Sequence, residues 1–144
     1  MKYIIRLFLL LRKKVESIAL KLYLDSGFTQ EVTQGTEVTP DIAHGSGTVG
    51  FTAKRQLWVK NDTALKYYES ISVTAVNDTA DIAVTYSATE DGSYTDSLAL
   101  SNVGALGGGS DNTTFWRKVV VASSVAQQNK TNIDHRITST EYIA

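Results

Sequence analysis

Few residues in this chain are of the types that carry chemistry. There are two histidines, His44 and His135, and no cysteine. Without thiols, a disulfide scaffold and any Cys-ligated zinc or iron–sulfur site are excluded. His44 lies in Ala43-His44-Gly45-Ser46-Gly47, a loop composition, and His135 stands between Asp134 and Arg136 in a strand-like stretch. Both read as surface or partly packed side chains. Serines are plentiful, but a nucleophile needs a base within reach, and no G-x-S-x-G elbow occurs. The acids Asp78, Asp81, Glu90, Asp91 and Asp111 stand in turn contexts. Short polar side chains there bond to nearby backbone, which accounts for them without the facing pair that glycoside hydrolysis requires. Asn77, Asp78 and Asp81 lack the alternating ligands of an EF-hand loop. Gly107-Gly108-Gly109 is followed by no Lys-Ser/Thr and no helix pattern, so it is no phosphate-binding loop. The expectation is no catalytic, cofactor or metal site, and hence no enzyme and no cofactor.

Aromatic side chains are the remaining candidates for small-molecule contact. Tyr67, Tyr68 and Tyr94 are possible glycan contacts. Trp58 and Trp116 read as core or interface residues, because a sandwich of this size needs large side chains to fill it. Four N-x-Ser/Thr sequons begin at Asn61, Asn77, Asn112 and Asn129. They are chance matches in a threonine-rich chain with no secretory pattern.

These side chains need elements to hold them, and the pattern from Phe28 onward is β. Thr, Ser and Val abound there, which favours strands and turns. Residues 70–76 alternate polar and apolar, as do 81–86, where Ile82, Val84 and Tyr86 share a face. Residues 56–60 form another short strand, 114–121 the strongest one, and Ile133, His135 and Ile137 one face of a last strand. Residues 77–80 and 90–93 have turn composition. Residues 25–50 show no periodicity and are expected as surface chain or short edge strands. Residues 102–112 are expected as a flexible loop. Short strands about every ten residues, separated by turn chemistry, predict an all-β sandwich over residues 25–144.

Residues 1–24 differ from the rest. Ile4, Phe8, Leu11, Val15, Ile18 and Leu22 recur at helical spacing. Leu20, Leu22 and Leu24 alternate as a strand would, so the expected arm is a helix handing over to a strand near Ile18. Its apolar run is too short for the roughly 20 residues that cross a bilayer. Arg12, Lys13 and Lys14 follow that run and no A-x-A site appears, so no cleaved signal is expected. Six basic residues against Glu16 give the arm +5, and the other 120 residues carry −6. Such asymmetry marks an interaction arm, with Ile4, Leu7, Phe8, Leu11, Arg12, Lys13 and Lys14 as its contact residues. The arm has three readings: it caps its own domain, inserts into a neighbouring subunit, or lies on a membrane surface.

Length and composition bound the rest. The chain has 144 residues, 42% apolar, with a net charge of −1. That is one domain, and its charge is wrong for a strongly basic nucleic-acid-binding module.

The body resembles small Ig-like structural proteins of tailed-phage virions. Three pieces carry the likeness: Leu57-Trp58-Val59-Lys60-Asn61-Asp62 before Ile71-Ser72-Val73-Thr74; residues 83–88 leading to Asp91-Gly92-Ser93 and Tyr94; and residues 115–121 followed by Asn129, Ile133, Arg136 and Ile137. The likeness covers about residues 55–143 and leaves the arm out. It implies an Ig-like sandwich and a location in the virion, as a capsid decoration (cement) protein that binds the major capsid protein or another virion protein. It also implies a homo-oligomer on a lattice. The alternatives are a tail or baseplate accessory, or a carbohydrate-binding module.

Overall fold

A computed structural model describes residues 20–32, 50–123 and 134–144. They form eight strands: β1 Leu20–Tyr23, β2 Glu31–Val32, β3 Phe51–Asn61, β4 Lys66–Val76, β5 Ile82–Ser87, β6 Ser97–Ala99, β7 Asn112–Val121 and β8 Asp134–Ile143. The first sheet runs in the order β2-β1-β3-β7-β5, the second β6-β4-β8. Every pairing is antiparallel. The described residues contain no helix, and the two sheets share one core, consistent with a β-sandwich.

The expected strands are present, most of them longer, while the one expected over 81–86 is shifted by one residue at the same length. The stretch expected over 56–60 extends to all of Phe51–Asn61, because β7 supplies a full-length partner from Phe51↔Val121 to Lys60↔Asn112. Alternation then sorts the side chains. Leu57 and Val59 of β3, Phe115 of β7 and Val84 and Tyr86 of β5 face the second sheet and are almost fully buried. Tyr68, Ile71 and Val73 of β4 meet them from the other side, with Leu20, Leu22 and Leu24 closing one flank. Each large apolar side chain so buried contributes roughly 1.5–3 kcal/mol. Trp58 and Trp116 are half-buried rather than central.

The arm boundary placed at residue 24 falls beyond β1. Leu20–Tyr23 pair with β3, from Leu20↔Asn61 to Tyr23↔Trp58, and belong to the sheet. The helix expected before them, with its contact residues, lies outside the described residues.

In β4 the register shifts between Glu69 and Ser72, a bulge with Ser70 at φ 51°. One extra residue breaks the period of two. Tyr68 and Ile71 therefore face the core together, where strict alternation would have placed Tyr67 inward.

Residues 102–112, expected as a flexible loop, are pinned. Val103 is buried and exchanges two backbone hydrogen bonds with Tyr68, at 2.8 and 2.9 Å. Asn61, fully buried, donates from Nδ2 to the carbonyls of Lys66 (2.7 Å) and Gly104 (2.9 Å), and its Oδ1 accepts from Thr63 N–H (3.0 Å). One side chain thus ties the β3–β4 turn to the loop. That use also removes Asn61 as a glycosylation acceptor in the folded chain.

Candidate functional site

Sheet edges expose backbone donors and acceptors, so how each edge ends decides what the molecule can pair with. β2 has two residues and β6 three. β5 is covered where Thr95 exchanges two hydrogen bonds with Tyr86, both 2.8 Å. β8 is different. It has ten residues, lies at the end of the second sheet, and pairs only with β4 among the described residues. On an antiparallel edge, every second residue points its N–H and C=O outward. This is the long open edge of the described structure.

The side chains beside it form a shallow site. By the period of two, His135, Ile137, Ser139 and Glu141 share the inner face of β8. A groove of about 300 Å³ runs along it, lined by Tyr68, Ile137, Thr138, Ser139 and Glu141. Glu141 is held in place: Oε2 accepts from the Tyr68 hydroxyl (3.1 Å) and Oε1 pairs with Lys66 Nζ (3.0 Å). At the C-terminal end, Tyr142 and Ile143 are exposed, the latter by 81%. Leu65 is 73% exposed beside them, its carbonyl accepting from Ala144 N–H at 2.9 Å. An apolar end thus adjoins an apolar-walled groove and an open strand edge.

The other end of β8 carries the main electrostatic feature of the interior. Tyr86, fully buried, places its hydroxyl 2.8 Å from His135 Nδ1. Burial holds that phenol well above its ordinary range, and the Asp78 charge adds to the effect. Burial, with the Arg117 charge as a second cause, pushes the His135 imidazole down to about 3. Arg117 is itself pushed down to about 10 by burial and stays charged at neutral pH. The neutral imidazole and the phenol share this one hydrogen bond, its direction set by the imidazole tautomer. A base that titrates at about 3 and is bonded to a core phenol is a structural group rather than a proton carrier at neutral pH.

The three glycan candidates are not brought together. Tyr68 is core, 1% exposed. The Tyr94 ring has Lys118 Nζ at 4.5 Å and Lys54 Nζ at 5.6 Å from its centroid, and its hydroxyl donates to the Glu90 carbonyl (2.8 Å). Tyr67 stacks on Tyr142, centroids 5.0 Å apart and planes 12° from parallel, on the outer face of the second sheet. Tyr142 was missed from sequence. Only the pairing Tyr67↔Tyr142 across β4 and β8 makes it a partner.

His44 and the arm residues Ile4, Leu7, Phe8, Leu11, Arg12, Lys13 and Lys14 lie outside the described residues. Asp78 uses its carboxylate to accept from Val84 N–H (3.1 Å), the backbone role expected of a turn acid. No group of three metal-ligating side chains occurs among the described residues, and no described helix is long and apolar enough to cross a membrane.

Comparison with known proteins finds no matching family model, no similar curated protein and no similar solved structure.

Proposed function

We propose that this chain is a non-enzymatic structural protein of a repetitive protein assembly, of the capsid decoration type, held to the lattice by its basic apolar N-terminal arm. The observation that carries the reading is the division of charge and apolarity, +5 over residues 1–24 against −6 over the rest. The finer fold reading is Ig-like. In their order across the sheet β1-β3-β7-β5 correspond to the A-B-E-D sheet of a constant-type domain, while β4 and β8 take the places of C and F. The likeness to tailed-phage virion proteins supplies the choice of lattice. Many weak attachments across a lattice raise avidity without new contacts, which suits a small domain with one adhesive segment.

The test is co-sedimentation with tailed-phage capsids that lack a decoration protein. Full-length chain is compared with a chain starting at residue 20, which keeps β1, each first shown to be folded by circular dichroism. Saturable binding that needs residues 1–19 supports the proposal. Equal decoration by the shortened chain removes the anchoring role, and binding by neither form removes the capsid.

The second reading, a carbohydrate-binding module, is favoured by one observation, the Tyr67–Tyr142 stack with Tyr142 41% exposed. A glycan screen on full-length protein and Tyr142→Ala decides it. Binding lost in the variant supports the reading, and silence in both removes it.

A further inference from the structure

We infer that the open edge of β8 is an acceptor for an added strand, and that the strand is residues 3–11 of a second copy of this chain. The inference rests on reading the arm as an attachment element and names what it attaches to. Strand addition to a free sheet edge draws its affinity from main-chain hydrogen bonds and its specificity from alternate side chains. Three observations point to this occupant.

The first is fit. Residues 3–11 are nine and β8 has ten; taken as an extended strand in place of the helix their spacing also fits, Tyr3, Ile5, Leu7, Leu9 and Leu11 make one wholly apolar face, with Ile4, Arg6, Phe8 and Leu10 on the other. Laid antiparallel along the whole edge, Leu7 falls opposite Ser139 and Leu9 opposite Ile137. That places the apolar face of the segment over the groove beside Tyr68 and Ile137. The second is charge. In the same orientation Arg12 falls opposite Asp134 and Lys13 and Lys14 emerge past it, near the turn that carries the exposed Asp78 and Asp81.

The third is reach, which selects a second copy over the chain's own arm. Leu20 pairs with Asn61, Asn61 bonds to the Lys66 carbonyl, and Lys66 pairs with Ile143. Leu20 therefore starts at the end of the molecule where β8 finishes. An arm paired antiparallel to β8 in its own chain would leave residue 11 at the opposite end. Residues 12–19 would have to return about 26 Å along the strand, cross the ~10 Å between sheets, and reverse direction twice. The nine steps from residue 11 to residue 20, fully extended, reach only about 30–32 Å, short of that path before any residue is spent on turning. The chain's own arm fits only in parallel, a slightly weaker pairing that no other strand here uses. Donation from copy to copy is heterologous, so it builds open chains or closed rings.

The natural chain has no cysteine, which makes cross-linking clean. Two differently tagged full-length chains are prepared, one Leu7→Cys and one Ser139→Cys, then mixed and oxidised. The expected product joins the two tags, and it is lost when Leu9→Lys is added to the first chain, a change outside the folded domain. Sedimentation velocity of the unmodified chain should show species that grow with concentration, and Leu9→Lys should return them to monomer. A full-length chain carrying both cysteines that closes only within itself overturns the second copy in favour of the chain's own arm. No cross-link, or a chain monomeric at all concentrations, overturns the inference outright. If the shortened chain fails to decorate capsids while the copies do not cross-link, attachment by the arm stands and this inference alone fails.

Discussion

Acidification should destabilise this protein through His135. Its imidazole is pushed down to about 3 in the fold by burial and by the Arg117 charge, from an ordinary 6.5. The folded state therefore refuses a proton that the unfolded chain accepts. Stability from this group is fully present above pH 6.5 and is lost as pH falls from 6.5 toward 3. Within that window the slope approaches one proton, about 1.4 kcal/mol per pH unit. Between pH 7 and pH 4.5 the loss is about 2–3 kcal/mol, a large fraction of the 5–15 kcal/mol typical of a domain. Asp25 and Asp111 are both held below the ordinary 3.8: desolvation is the largest single influence on Asp25 and raises it, but the bonds it accepts from Gln30 and Thr29 together outweigh that, while Asp111 is lowered first by its bond from Asn112. Their contributions fade only as pH falls toward and below that value, under the range of pH 7.0 to 4.5 that the assay covers. The assay is urea unfolding followed by tryptophan fluorescence at pH 7.0, 6.0, 5.0 and 4.5. His135→Gln and His44→Gln are run beside the natural chain. His135→Gln should flatten the pH dependence by about 2–3 kcal/mol over the range, and His44→Gln should leave the His135 share intact. Equal pH dependence in His135→Gln and the natural chain would refute the buried neutral imidazole.

Three further outcomes are expected, each read by chemical denaturation. Asn61→Ala strips partners from two carbonyls and one N–H around a fully buried site. It should cost about 2–4 kcal/mol at 1–3 kcal/mol per orphaned group with partial relaxation, and a loss under 1 kcal/mol would contradict the pinning role. Ser70 sits at φ 51°, where a side chain is strained by roughly 1–2 kcal/mol. Ser70→Gly should therefore be neutral to mildly stabilising and Ser70→Val clearly destabilising, and the reverse order would argue against the bulge. Thr85 buries its Oγ1 without a hydrogen-bond partner, so Thr85→Val should raise stability by about 1 kcal/mol. A loss on that substitution would mean the hydroxyl is satisfied.

Much of the fold was legible because it rests on local pattern. Ile82, Val84 and Tyr86 share a buried face as their spacing predicts, since alternation alone decides which side chains leave water. Trp116 marked β7, and Leu20 with Leu22 marked β1, because β-branched and large apolar residues fit a pleated surface. The candidate site was less legible. Tyr67 and Tyr68 are indistinguishable as neighbours in sequence, yet one stacks outside on Tyr142 and the other is core. The bulge at Ser70 made that choice, and no propensity of serine announces it.

What the sequence determined by itself, then, is the set of short-range facts: an all-β body, its strand faces, the absence of thiols, and the basic apolar arm set against an acidic domain. These follow from residue type and periodicity, which act over a few residues. Which strands become neighbours was decided only in the tertiary structure, because pairing joins segments far apart in the chain and depends on every other strand finding its place. That is why β8 pairs only with β4 among the described residues and lies beside a groove, why Asn61 became a buried clasp, and why His135 came to rest against Tyr86. Each of these is a property of assembled sheets, where burial and proximity set the energy, and none of them belongs to any single segment.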